Sequence, residues 1–532
     1  MLGGELVGAE RMRRYVARRG VALALTLIIG VSFAATGRAQ VQQPRKGGTL
    51  VYASVSGPGT LDPYMASSAV ELEVINNLFE GLVTLDASNA TRPMLAAKAA
   101  ASADFKTYTF ELRKGVKFHN GQEMTSADVK ASFERYKRVS PNAKNLEAVD
   151  HFDTPDPYSF VIALKEPNVV LLDIIKSPIY PLMILPASQK DKPARDIEVI
   201  GTGPYKLGEW VKDSHLVISR FDDYVADSSA PGRDGYGGRK TVYLDAVRYR
   251  FMPEATTRIA ALQNGEAQLI SSVPSELSAR VTHRKDLAIR EVFPVLGSYI
   301  ILNSQKGLTA NVLIRQAIAA AINVDDIIEG AGGLNKRNPW MSFPGTPYYL
   351  GETAPTPWYD IKDPAKAKEL LKQAGYKNEK IVIETNSNYQ WMRSTMLIVA
   401  EQLKAAGMTV DVQVTDWTTN ASHMQQGTGD WNLSTTAFGP DHILGPQQWR
   451  PMVYTFPHIV GNEILDKAYS EFFMAPTLEA RRASWLTIQK EVLGGAYLIK
   501  IADTGRLSGY AKKLQGQNDY AGVLQLWDLW LD

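Results

Sequence analysis

The 532-residue chain has no cysteine. A protein of this length builds enough core to do without disulfides even in an oxidising compartment, and with no thiol there is no site for a lipid anchor on cysteine. No segment beyond the first 40 residues is apolar for long enough to span a bilayer. Internal repeats, heptad runs and blocks of like charge are also missing. So are a Gly-x-Ser-x-Gly elbow, a Gly-x4-Gly-Lys-Ser/Thr loop and a His-Glu-x-x-His pair. The seven histidines lie too far apart to make a ligand set, so neither metal nor cofactor is expected. The glycine-rich stretch 232–238 has no flanking strand–helix pattern and reads as a surface loop.

What is present begins with an export signal. Arg11, Arg13, Arg14, Arg18 and Arg19 precede the apolar run 21–33, and small residues lead to Ala39, the expected last residue before cleavage. Met12 is an alternative start, and Sec and twin-arginine export both stay open. Residues 1–39 hold six arginines and two glutamates, so their removal takes the formal charge from +2 to −2. The basic balance belongs to the signal, and no nucleic-acid footprint remains.

Over the full chain, 45% hydrophobic and 21% charged residues describe a globular protein, long enough for two or three lobes. Ser68-Ala-Val-Glu71 is a capping box, Leu72, Ile75, Phe79 and Leu82 fall on one helical face, and Gly81 is placed to end the helix. Residues 108–112 alternate as a strand, Ser126 opens a helix, and 241–251 alternate again. Asp363-Pro364 starts a helix that Gly375 ends. A buried strand at 381–383, a helix with Met396, Val399 and Leu403 on one face, and a strand at 410–414 follow. Strand–helix–strand order predicts α/β lobes.

Several stretches go beyond what secondary structure requires. They are Lys46-Gly-Gly-Thr-Leu-Val-Tyr, Thr60-Leu-Asp-Pro63, Asn77-Leu-Phe-Glu-Gly-Leu-Val83 and Tyr108-Thr-Phe-Glu-Leu-Arg-Lys-Gly-Val-Lys-Phe-His-Asn-Gly121. Ala127-Asp-Val129, Gly201-Thr-Gly-Pro-Tyr205, Arg258-Ile-Ala-Ala-Leu-Gln-Asn-Gly-Glu266, Asn303 and Arg315-Gln-Ala-Ile-Ala-Ala-Ala-Ile322 continue the series. In this order they resemble the family 5 extracellular solute-binding proteins (peptide, nickel and opine binders) of bacterial ABC importers, from about residue 46 to the end. The motifs themselves read as structural: a turn at His119-Asn-Gly121, and glycines at 201 and 203 that relieve close backbone approach.

The resemblance implies a two-lobed periplasmic binding protein fold with a hinge, its first lobe enlarged by an inserted α/β domain. The expected boundaries are signal 1–39; first lobe 40–76, 199–298 and 504–532; insertion 77–198; second lobe 299–503. It also implies a monomer, free in the periplasm, that captures a peptide or similar small solute and passes it to the importer's permease without catalysis. A non-peptide solute (metal complex, opine, sugar) and a periplasmic hydrolase are the alternatives.

A cleft closing on a small polar solute needs aromatic walls and a few polar groups, and residues 386–449 are rich in both. Asn388, Tyr389 and Trp391 fall between a strand and a helix, where α/β folds present ligand loops. Trp417 and Phe438 flank later connections. In peptide-binding relatives an aspartate near 436–441 receives the ligand's amino group. Here Ala437 or Phe438 takes that place, so either Asp441 supplies the charge from a shifted loop or no free peptide amine is bound. Ser67 matches the first-lobe loop that touches the ligand backbone.

Overall fold

The computed structural model describes residues 43–66, 68–178, 181–438, 445–520 and 523–532. An eleven-stranded mixed sheet runs through them. Its order is Thr409–Thr415, Lys380–Asn386, Leu433–Phe438, Leu287–Leu302, Leu498–Ala511, Leu269–Ile270, Thr49–Ser54, Ala246–Phe251, His215–Arg220, Tyr205–Val211, with Leu334–Lys336 pairing beside Leu498–Ala511.

The two longest strands, Leu287–Leu302 and Leu498–Ala511, are antiparallel and join the halves of the sheet. Leu287 pairs with Ala511 and Ile301 with Leu498, and the register breaks between Val292 and Leu296 and again between Ser298 and Tyr299. Strand alternation separates two faces. Ile300 and Leu302 enter a core with Ile381, Ile383, Met396, Val399 and Leu403. Tyr299 and Ile301 enter the opposite one, with Phe438, Trp449 and Trp485.

A separate antiparallel sheet, Ala96–Ala101, Thr107–Leu112, Ser159–Leu164 and Val149–Asp156, lies in sequence between strands of the large one. The helix Ser126–Val139 packs on it, opened by a Thr125–Asp128 capping box. Asp62 of the Leu-Asp-Pro motif receives two hydrogen bonds from Arg135 of this helix, at 3.1 and 2.6 Å, with both side chains fully buried. The motif therefore ties the loop before Ser68 to the small sheet.

Ser68 and Glu71 form the predicted capping box, but the helix Ala69–Leu78 stops three residues before Gly81. Phe79 turns extended so that Glu80 reaches a buried set of partners: Lys240 at 2.8 Å, Tyr224 at 2.9 Å and Thr202 at 3.3 Å. A Cβ on Gly203 would sit 2.6 Å from the carbonyl oxygen of Asn77, and one on Gly201 would overlap that of Leu78. These glycines let two backbones touch. His119 locks the same junction. Its Nδ1 accepts the Gly201 N–H at 3.1 Å, its Nε2 donates to the Gly203 carbonyl at 3.1 Å, and burial pushes its pKa down to about 4.

Two further sequence expectations change. The strand expected over 241–251 is confined to Ala246–Phe251. Residues 233–238 form a short hairpin, not a surface loop: Tyr236 is buried against Trp527, and Arg92 pairs with Asp234 at 2.7 Å. Gly235 has a φ of +61° beside the backbone of Asp86, a position that no apolar pattern reveals.

Candidate functional site

Lys380–Asn386, Thr409–Thr415 and Leu433–Phe438 run parallel, so their carboxyl ends share one edge of the sheet. Loops at such an edge are where α/β folds hold ligands. Asn386 accepts the N–H of Tyr389 at 2.9 Å, and Asn388 accepts that of Trp417 at 2.8 Å. The two loops are thereby stitched together, with the rings of Tyr389 and Trp417 edge to face at 5.3 Å. Tyr389 remains 44% exposed and Trp417 partly so. Asn388, Tyr389 and Trp417 thus form one cluster at this edge of the sheet.

The helix Gln390–Ala405 begins directly after Tyr389, and its first turns border a cavity of about 540 Å³. The walls come from three places. Ser272–Glu276 follow the strand Leu269–Ile270; Leu296, Ser298, Ile501, Thr504 and Leu507 belong to the two long strands; Ile327, Ala331, Leu334, Trp391 and Thr395 come from the other half. Among the described residues, Trp391 is the one sequence-predicted site residue on this wall.

Phe438 lies elsewhere. Its ring is buried on the opposite face of the sheet, 5.4 Å from each of Tyr299, Trp449 and Phe456. It stands at the end of a strand whose alternate side chains pack inward, so position along the chain brought it to the edge and alternation turned it into the core. Ser67 and Asp441 lie outside the described residues.

The same opposite face carries a charged pair that the sequence reading passed over. Lys500 and Asp503 are 2.8 Å apart with side chains 1% and 2% exposed. Lys500 also donates to the Tyr299 hydroxyl at 3.0 Å, and Asn338 donates to Asp503 at 2.8 Å. Desolvation pushes the lysine pKa down and the aspartate pKa up, while the partner charge opposes each shift. The available signal was a lysine in the apolar run Leu498-Ile-Lys-Ile. Arg506, three residues further along this strand, pairs with the buried Glu73 of the helix Ala69–Leu78 at 2.8 Å. Among the described residues no cluster of histidine and carboxylate side chains could hold a metal ion.

Comparisons with known proteins identify the family and the fold. The chain is 27% identical over 424 residues to the glutathione-binding protein GsiB of Escherichia coli O1:K1, covering 76% of this chain and 79% of that one. Its fold matches NikA from Brucella suis in complex with Fe(III)-EDTA, with a TM-score of 0.77 at 22% identity over 91% of this chain and all of that one. It also matches DppA from Helicobacter pylori in complex with the peptide STSA, with a TM-score of 0.72 at 25% identity over 92% and 98%. These are two-lobed binding proteins of mixed α/β structure. The profile of the bacterial extracellular solute-binding proteins, family 5, middle region, matches residues 90–457. The chain belongs to that family and is a solute-binding protein of the ABC-importer type.

Proposed function

We propose that the protein captures a peptide or a closely similar small zwitterion between its two lobes, in the periplasm, and hands it to an importer's permease as a monomer and without turnover. The observation that carries this is the cavity, whose walls are shared by both halves of the large sheet and by the two strands that join them. A site so divided is complete only when the halves approach, and a solute touching both favours that approach. On this reading the lobes are 40–76 with 199–298 and 504–532, and 299–503, with 77–198 inserted in the first and 1–39 removed on export. Trp391 contacts the solute from the cavity wall, and Asn388, Tyr389 and Trp417 from the sheet edge. Ser67 holds solute backbone and Asp441 receives an amino group, while Phe438 takes no part, being packed in the core on the other face of the sheet.

Support for a peptide comes from the glutathione-binding and peptide-bound relatives. A non-peptide solute is the second reading, favoured by neighbours that hold Fe(III)-EDTA and agropinic acid. Calorimetric titration with di- and tripeptides, with recovery of the peptides afterwards, tests the proposal. Saturable one-to-one binding and intact peptides are expected. Binding confined to metal chelates or opines would overturn the peptide assignment, and cleaved peptide in excess of protein would overturn the absence of turnover.

A further inference from the structure

The polar groups around the 540 Å³ cavity are largely spoken for by the protein itself. Ser298 Oγ donates to the Ala502 carbonyl at 3.1 Å, Thr504 Oγ1 to the Leu296 carbonyl at 3.3 Å, Asn335 Nδ2 to the Gly332 carbonyl at 2.7 Å, and Gln390 Nε2 to Ser394 Oγ at 3.3 Å. Two charged residues reach the wall. Arg506 is already paired with Glu73 at 2.8 Å, and Glu276 is exposed at the mouth, where it accepts from Ser275 at 3.3 Å. Between them the surface is made of Val273, Leu296, Ala331, Trp391, Ile501 and Leu507.

A charged group entering past the exposed Glu276 at the mouth leaves its hydration behind and finds on the inner wall only Arg506, already paired with Glu73, whereas an apolar group loses nothing and gains contact. The volume lies within the ordinary range for small-ligand pockets, roughly 300–1,000 Å³. We infer that this cavity selects an uncharged, largely apolar moiety, so that the solute presents a neutral aliphatic or aromatic group here and keeps its charges for polar groups outside it. This rests on the solute-binding reading above for its biological meaning, although the cavity's chemistry is testable without it.

Ala331 ends its helix at the cavity wall and is partly exposed, so a larger side chain there fills space without entering a packed core. The neutral fluorophore N-phenyl-1-naphthylamine serves as the probe. The full-length mature protein is expected to bind it at one saturable site. Ala331→Trp is expected to weaken that binding at least tenfold and Trp391→Ala several-fold, with melting temperatures close to the parent's. Leu-Leu is then expected to displace the probe at least tenfold more effectively than Lys-Lys or Glu-Glu. Absence of saturable probe binding, binding indifferent to Ala331→Trp in a folded variant, or equal displacement by charged and apolar dipeptides would each overturn the inference. Probe binding that Ala331→Trp abolishes, but that no peptide displaces, would uphold the apolar cavity and count against the peptide reading alone.

Discussion

Burying Lys500 beside Asp503 removes two charges from water, and their attraction together with the Tyr299 and Asn338 hydrogen bonds offsets that loss. Removing one partner strands the other. Lys500→Met should therefore destabilise the protein by about 3–5 kcal/mol, while Lys500→Met with Asp503→Leu should recover most of it. Urea unfolding of both variants decides, and equal losses would show that the pair is not coupled. His119 makes a pH-dependent contribution of known sign. Its folded pKa of about 4 lies below its ordinary value of 6.5 because burial disfavours the imidazolium. The unfolded chain thus takes up a proton first as pH falls, and stability present above pH 6.5 declines toward pH 4, by about 3 kcal/mol in all. His119→Gln keeps donor and acceptor but does not titrate, so the stability gap between variant and parent should narrow or reverse over this window. A gap constant from pH 7 to 4 would contradict the assignment.

At the scale of elements, the family motifs are joints. Thr60-Leu-Asp-Pro63 supplies the aspartate for Arg135, Asn77–Val83 delivers Glu80 to Lys240, and Gly201–Tyr205 passes against the end of the helix that carries Asn77. Gly203→Ala should cost about 1–3 kcal/mol, since its new methyl meets backbone that cannot rotate away. Gly232→Ala, with open space around it and no positive φ, should stay within about 0.5 kcal/mol. Thermal melts of the two variants test this, and similar losses would remove close approach as the reason for Gly203. The capping box at Ser68, the proline start at Pro364 and the strand Thr409–Thr415 were all legible in sequence, because caps and alternation are local signals. The early end of the helix at Leu78 was not, because its cause is a glutamate whose partners lie more than a hundred residues away. That Asn388, Tyr389 and Trp417 meet at one sheet edge could be read from strand–loop–helix order. The cavity wall could not, since Val273, Ala331 and Leu507 belong to three distant segments with nothing unusual in any of them.

For the whole molecule, two long strands with irregular register connect the halves of the sheet, each of which has a core of its own on one face, while a third and larger core reaches from Leu50 and Tyr205 to Trp449 and Trp485. If a solute is enclosed by both, binding should draw them together and reduce the radius of gyration in small-angle scattering at saturating solute; an unchanged radius would count against closure. The lack of cysteine allows single labels to be placed at will for distance measurements on the same motion. Most direct for the central claim is native mass spectrometry of the mature protein purified from periplasm under mild conditions. A single small solute at one copy per protein, released unaltered on denaturation and carrying a neutral apolar group, is predicted. A protein that never carries a solute, or that releases reaction products in place of one intact molecule, would contradict the account.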